Sequence, residues 1–467
     1  MRRAKQVFNN IGFAFIAQFF SLILSLLLSL WLPKFLTIDE YGYWQLFLFY
    51  SSYTGILHLG LADGIYLKYG GIDYEKLDYK LFKEVFIALS LIQIVFSLMI
   101  LLFGFFWFTE KRLLVVLFVS FYSIIYNLNN FFNLLFQATG KIRFFSKSCI
   151  IRSFSITLFL GILLLNDVYL FQYYVLIFIA GHSVALLYNI CKCRELLLCV
   201  GWVDKRLVLC EIATDISIGI NLMIANVTGM LIIGVGRFLI DRIWGISTFA
   251  VVSLSLSLVN FVLLFVNQIG IVFFPLLRQS TDKQLKNMYV YGNTFLSIVM
   301  PTCLFLYYPT CLVVRYWLPQ YVESLKFFAL LVPICLFDGK MQMLYSTYLK
   351  VLRKERFLFK VNFYHFLLSV VLCTVSGYIL NNMYVLLMSI VCVIILRSLS
   401  VNYWLRIKMD ISDSNILLFE IVLIVLFVFT AWYFSLKWSF AIYFFCYIAY
   451  LMLCRKSIYK IVLLIRR

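Results

Sequence analysis

Five polar residues, Tyr126, Asn129, Asn130, Asn133 and Gln137, interrupt an otherwise apolar run. They step by three and four, so they stack on one face of a helix. The stretch ends in a turn at Thr139-Gly140 followed by Lys141, Arg143 and Lys147. A polar face inside lipid, ending in a basic loop, is expensive unless something polar passes by. A second focus is Lys340, about 16 residues into a later apolar run and beside Asp338 and Gly339. A charge at that depth costs about 2.5–3.5 kcal/mol on insertion scales. It fits either an interhelical ion pair or a functional cation in a cavity. Arg397 and Arg237 are further candidate cations, unless each simply reaches the headgroups. Asp63, His58 and Asp338 are candidates for coupling to protons or sodium, against packed and hydrogen-bonded roles.

Other polar stripes are Gln18, Ser21, Ser25 and Ser29; Asp215 with Asn226; and Ser253, Ser257, Asn260 and Asn267. Ser and Asn commonly hydrogen-bond between membrane helices, and that reading is taken for the Ser stripes. The denser Asn129/Asn130/Asn133 face is read as lining a cavity.

The elements that position these groups follow from composition. Hydrophobic residues make up 64% of the 467, and charged residues 13%, about half the share of a soluble domain. The mean hydropathy is +0.98. The expectation is an all-α polytopic membrane protein. Its formal charge of +19 is read as basic cytoplasmic loops under the positive-inside rule, not as a nucleic-acid surface. The apolar run at about 11–32 is longer than a signal peptide's core of about 7–15 residues and ends at Pro33-Lys34, so it is expected to stay as a first helix. The twelve cysteines are scattered, and Cys191 and Cys193 have neither disulfide nor zinc spacing. No Gly-rich phosphate loop occurs, so neither a cofactor nor ATP hydrolysis is expected.

Apolar segments of about 20 residues, enough to cross a bilayer, fall at about 11–32, 43–67, 85–108, 113–137, 148–165 and 168–190. Six more fall at about 212–236, 246–274, 289–308, 325–348, 361–380 and 384–405, and a last pair near 416–435 and 438–454. Fourteen crossings put both termini on one side. With the termini cytoplasmic, inner segments hold 31 Lys and Arg, Arg152 among them, and outer segments hold 8.

Two echoes point to an internal repeat. Lys141-Ile-Arg-Phe-Phe-Ser-Lys147 returns 213 residues later as Lys354-Glu-Arg-Phe-Leu-Phe-Lys360. Leu59-Gly-Leu with Leu67-Lys68 returns at an offset of 210 as Ile269-Gly-Ile with Leu277-Arg278. Six helices fit in that offset, so the copies share orientation, as in parallel repeats about the membrane normal. The expected organisation is a six-helix lobe at 1–190, an interfacial linker at 191–211, a second lobe at 212–408, and an extra helix pair with a basic tail at 409–467. Pro301 and Pro333 are expected to kink the second lobe.

Several stretches resemble one family. Leu32-Pro33-Lys34 through Glu40-Tyr41-Gly42 is similar to its first-helix end, with Thr37-Ile38 in place of Leu-Gly. Gly60-Leu-Ala-Asp-Gly64 to Lys68-Tyr69, and Phe136-Gln-Ala-Thr-Gly140-Lys-Ile-Arg143, resemble the ends of the second and fourth helices. Arg237-Phe-Leu through Phe274-Pro275-Leu276 resembles the seventh-to-eighth helix region, with Gly236 where Asp often stands. The family is the Wzx-type O-antigen and polysaccharide flippases of the multidrug/oligosaccharidyl-lipid/polysaccharide (MOP) exporter superfamily. The resemblance covers roughly the first 400 residues. It implies a MATE-like two-lobe transporter of the bacterial inner membrane, not an enzyme. It further implies movement of an undecaprenyl-pyrophosphate-linked oligosaccharide to the outer leaflet by alternating access. Its partners would be that substrate, membrane lipids and the polysaccharide polymerase machinery.

On that reading Lys340, Arg397 and Arg237 would meet phosphates, and Asn129, Asn130, Asn133, Asn226 and Asn260 would meet sugars. The rivals are a drug or cation antiporter of the same fold, which favours acidic cavities, and a membrane polymerase or glycosyltransferase. The latter usually needs a large outer loop with paired carboxylates or Arg, whereas Asp39-Glu40, Asp241 and Glu323 stand isolated.

Overall fold

The computed structural model describes residues 2–165, 168–278, 281–411 and 416–455, with side chains undescribed at 2–11, 14, 15, 264–276, 278, 282 and 416. Lys456, Lys460, Arg466 and Arg467, and the side chains of Arg2, Arg3, Lys5, Asn267 and Arg278, lie outside the described residues. Helices account for nearly all of the described chain, and no strand occurs among those residues. Helices suit a chain this apolar, because each satisfies its own backbone where no water can. The helices divide into two compact units, 1–227 and 228–467.

The first unit opens with α1 (Arg2–Leu26), which runs on through a π turn at Leu27–Trp31 and a last helical turn at Leu32–Phe35. Then come α2 (Ile38–Ser51), a 3-10 turn at Thr54–His58, and α3 (Leu61–Lys68). Next are α4 (Tyr79–Trp107), α5 (Glu110–Ala138), α6 (Ile142–Leu165), α7 (Phe171–Lys192) and the short α8 (Arg194–Leu197). Polar side chains mark the starts: Thr37 caps α2 by accepting from the Glu40 amide, and Asp78 caps α4 by accepting from Lys80 and Leu81.

Helix α9 (Lys205–Arg278) has one non-helical residue, Gly245 at φ 83°, and the division between the units falls within it. The second unit continues with α10 (Asp282–Val299), a 3-10 stretch at Met300–Leu306, and α11 (Tyr307–Trp317). Helices α12 (Ser324–Leu331), α13 (Ile334–Lys340) and α14 (Ser346–Val351) form one broken rod, interrupted at Pro333 and by a π turn at Met341–Tyr345. It ends with α15 (Glu355–Thr374), α16 (Met383–Lys408), α17 (Ile416–Tyr433) and α18 (Leu436–Leu453).

Among the described residues, eleven helical stretches are long and apolar enough to cross a membrane. The fourteen expected segments map onto these helices with two differences of form: the 43–67 segment is broken by the Thr54–His58 turn, and the 212–236 and 246–274 segments are two helices joined end to end at the Gly245 kink. Within the stretch expected as a linker, α8 is helical and α9 already begins at Lys205.

In the first unit, the Gly60–Lys68 stretch meets α9 backbone to backbone. A Cβ on Gly64 would lie 1.9 Å from the Asp215 carbonyl oxygen, and one on Gly219 would lie 2.1 Å from that of Gly60. Gly60 also sits at φ 86°, where side chains are strained. Close approach through small residues is how membrane helices gain packing without a hydrophobic drive. Gly64→Ala or Gly219→Ala should therefore lower stability by about 1–3 kcal/mol, the cost of overpacking. Gly161→Ala, with nothing within 4 Å, should not. Thermal unfolding of the three purified variants in one detergent checks this.

Candidate functional site

Helix breaks in the first unit are held by polar side chains from neighbouring helices. Gln93 of α4 donates to the Leu57 carbonyl at 2.9 Å. Asn127 of α5 donates to the Thr54 carbonyl at 2.9 Å and to Gln93 at 2.7 Å. These carbonyls lie in or beside the 3-10 turn, where the α-helical ladder stops, so side chains must supply the missing donors. Beyond the turn, His58 Nδ1 accepts from the Gly60 amide at 3.0 Å, and Nε2 faces Asp63 at 3.7 Å. Two residues named from sequence for ion coupling thus come together.

The Asn face of α5 divides. Asn129 is buried, and its Oδ1 accepts from Asn189 of α7 at 2.5 Å; Asn133 accepts from the same amide at 3.4 Å. This edge is an interhelical contact. Asn130, about 100° round the helix from Asn129, is half-buried, and Asn226 is exposed. At the Lys68 end of the glycine seam, Lys68 pairs with Glu211 at 2.5 Å and Asp215 at 3.4 Å, while Tyr69 donates to Glu211. A shallow surface crevice beside it is lined by Tyr69, Leu81, Phe82, Val85, Glu211 and Asp215.

In the second unit, helix α13 carries two opposite charges that turn to different partners. Asp338 pairs with Arg397 of α16 and also accepts from Gln342. Arg397 reaches the Gly229 carbonyl at 3.5 Å, and a Cβ there would lie 3.4 Å from the guanidinium. Lys340, only 2% exposed, pairs with the fully buried Glu420 of α17 at 2.5 Å and donates to Ser297 at 2.9 Å. Lys340 therefore sits in an ion pair, the first of its two sequence readings. Arg237 donates to Ser253 at 3.0 Å and lies over the Phe249 ring, bridging the two sides of Gly245. Asn260 is exposed.

Sequence reasoning missed Glu420, which it placed only within an apolar segment near 416–435. Its signal was present: an acidic residue five positions into α17, where a buried charge needs a partner. It also missed three tyrosines of α18. Tyr443, Tyr447 and Tyr450 donate to the carbonyls of Pro301, Ile298 and Ser297 at 2.8, 3.0 and 2.8 Å. Pro301 has no N–H, so Ser297 loses its helical donor four residues on. Tyr450 replaces it. Helix α18 is thus fastened to the proline break within the second unit.

Solved structures share this fold. The chain is similar to the lipid II flippase MurJ in an inward closed conformation, with 14% identity and a TM-score of 0.62 over 96% of this chain and 100% of that one. It is similar to an inward-facing multidrug resistance MATE family transporter of the MOP superfamily, with 10% identity and a TM-score of 0.60 over 84% and 94%. A mutant of the Vibrio cholerae MATE transporter VcmN matches at 14% identity and a TM-score of 0.56 over 89% and 98%. At these identities the likeness establishes the fold. No family model and no curated protein sequence matches the chain.

Removing one partner of a buried pair strands the other charge, at a cost of about 3–5 kcal/mol. Lys340→Met or Glu420→Gln alone should destabilise the protein by about that amount, and the double variant should recover most of it. Thermal unfolding of the full cycle measures the coupling. A Lys340→Met protein as stable as the wild type would show that the pair contributes nothing to folding.

Proposed function

We propose that this chain is a MOP-type transporter that flips a lipid-linked oligosaccharide, its head joined to a polyprenyl carrier by pyrophosphate, from the cytoplasmic to the outer leaflet. The observation that carries this reading is extent. The likeness to the lipid II flippase takes in 96% of this chain, whereas the two MATE transporters match 84% and 89%. The helix pair α17–α18 belongs to the fold as built, fastened by Lys340–Glu420 and the three tyrosine bonds.

The buried charge supports the same reading. Two deep acids of the second unit are matched by bases, Asp338 by Arg397 and Glu420 by Lys340. An antiporter of cationic drugs is better served by an unmatched carboxylate. We assign the half-buried Asn130 to the sugar head, and His58 with Asp63 to any coupling to an ion gradient. Movement proceeds by alternating access, in a bacterial inner membrane with both termini cytoplasmic, where the positive-inside rule places the basic segments. The polysaccharide polymerase machinery would then take up the flipped product.

Purified protein in vesicles decides between the two transporter readings. A fluorescent polyprenyl-pyrophosphate oligosaccharide in the inner leaflet should become accessible to an external glycosidase only when the protein is present, while ethidium efflux stays at background. Gradient-driven ethidium efflux with an unmoved glycolipid would establish the antiporter instead.

A further inference from the structure

The sequence groups Arg152 with the inner basic residues, although it stands four residues inside the apolar run at 148–165. Helix α6 begins at Ile142, so Arg152 lies ten residues in, about 15 Å along the axis at 1.5 Å per residue. Lys147, the last exposed basic residue of the helix, comes five residues earlier, so Arg152 stands about 7 Å further in along the axis. Its side chain is half-buried.

Three neighbouring side chains bear on it. Tyr122 and Tyr126 of α5 and His182 of α7 all stand close enough to feel its charge. Their rings form one cluster, with Tyr122 centred 5.1 Å from His182 and 5.7 Å from Tyr126. Gly181 lets α7 approach, since a Cβ there would lie 3.3 Å from the Arg152 carbonyl oxygen. His182 is 4% exposed, and its Nδ1 has no hydrogen-bond partner among the described residues. Asp63 is the carboxylate that bears on this cluster, through Tyr126.

Among the described residues no carboxylate lies within ion-pairing distance of Arg152, whereas Lys340 and Arg397 each have one. A guanidinium inside a membrane protein without a counter-ion is expensive. Its fork of N–H donors matches the oxygens of a phosphate group, and phenol and imidazole N–H or O–H groups can complete the shell.

We propose that Arg152, Tyr122, Tyr126 and His182 form an oxyanion site for a phosphate group, the guanidinium supplying the charge and the other three further donors. The assignment deepens the transport reading and rests on it for the identity of the natural ligand. The same chemistry could come from the substrate's pyrophosphate or from a phospholipid headgroup. The positions also explain why the cation is kept: the ligand completes the pair that the fold leaves open.

Binding and stability together test it. Purified full-length protein in a neutral detergent is titrated with geranyl pyrophosphate, with phosphatidylglycerol and with uncharged geraniol. The wild type should bind geranyl pyrophosphate saturably and geraniol not at all, and Arg152→Gln should weaken binding about tenfold or more. Arg152→Lys, which keeps the charge and loses the fork, should fall between them. If Arg152→Gln fails to fold, the same weakening in Arg152→Lys carries the test. Preference for geranyl pyrophosphate over phosphatidylglycerol assigns the site to substrate, and the reverse assigns it to a lipid headgroup. Without ligand, Arg152→Gln should unfold at the same or a higher Tm. A lower Tm marks a structural cation and overturns the site, as do unchanged binding in Arg152→Gln and absent binding in the wild type. Glycolipid flipping is scored separately. A variant that binds and flips normally overturns this site alone, whereas Arg152-dependent binding by a chain that never flips overturns the transport reading alone.

Discussion

A helix that breaks inside hydrocarbon exposes carbonyls that water cannot reach, and much of this structure is arranged around supplying them with donors. The Thr54–His58 turn draws Gln93 and Asn127 from two other helices. The Pro301 break draws Tyr443, Tyr447 and Tyr450 from α18. Ser255 and Ser369 add bonds between helices, donating to the helical carbonyls of Ser324 and Ile232 at 2.8 and 2.7 Å. These contacts decide which helices must be neighbours, because a donor that is not there leaves a buried acceptor unsatisfied at about 1–3 kcal/mol.

Charge is handled by the same logic at higher stakes. On α13, Asp338 and Lys340 are separated by Gly339, and each turns to a different helix. Two adjacent opposite charges could have met each other. Residues two apart on a helix point away from one another, so each recruits its partner from outside. One pair ties α13 to α16, the other to α17. Against that background Arg152 stands out as a cation that the fold leaves unmatched among its described neighbours.

The class of fold was legible because it depends on quantities that sum along the chain: hydropathy, segment length and the 31-to-8 bias of Lys and Arg. The breaks were partly legible. Pro301 announced one, whereas the Thr54–His58 turn carries no proline and was read as part of a continuous crossing. The polar face of α5 was visible as a stripe, and its meaning was not. Asn129 and Asn133 turn out to face Asn189, a residue 56 to 60 positions away. Arg152 was legible as a cation inside the apolar run at 148–165, whereas the absence of a carboxylate beside it among the described residues was not.

The sequence by itself determined that this is a helical membrane protein, roughly how many times it crosses, and which polar residues are too deep to ignore. Those properties are local, set by each segment's own free energy in lipid or water. Only the tertiary structure decided what the deep polar residues do. Lys340 meets Glu420 80 residues away, and Arg397 meets Asp338 across 59. Whether a buried charge is neutralised or left open for a ligand is a property of pairs, and pairing across helices is written in their packing, not in any one segment.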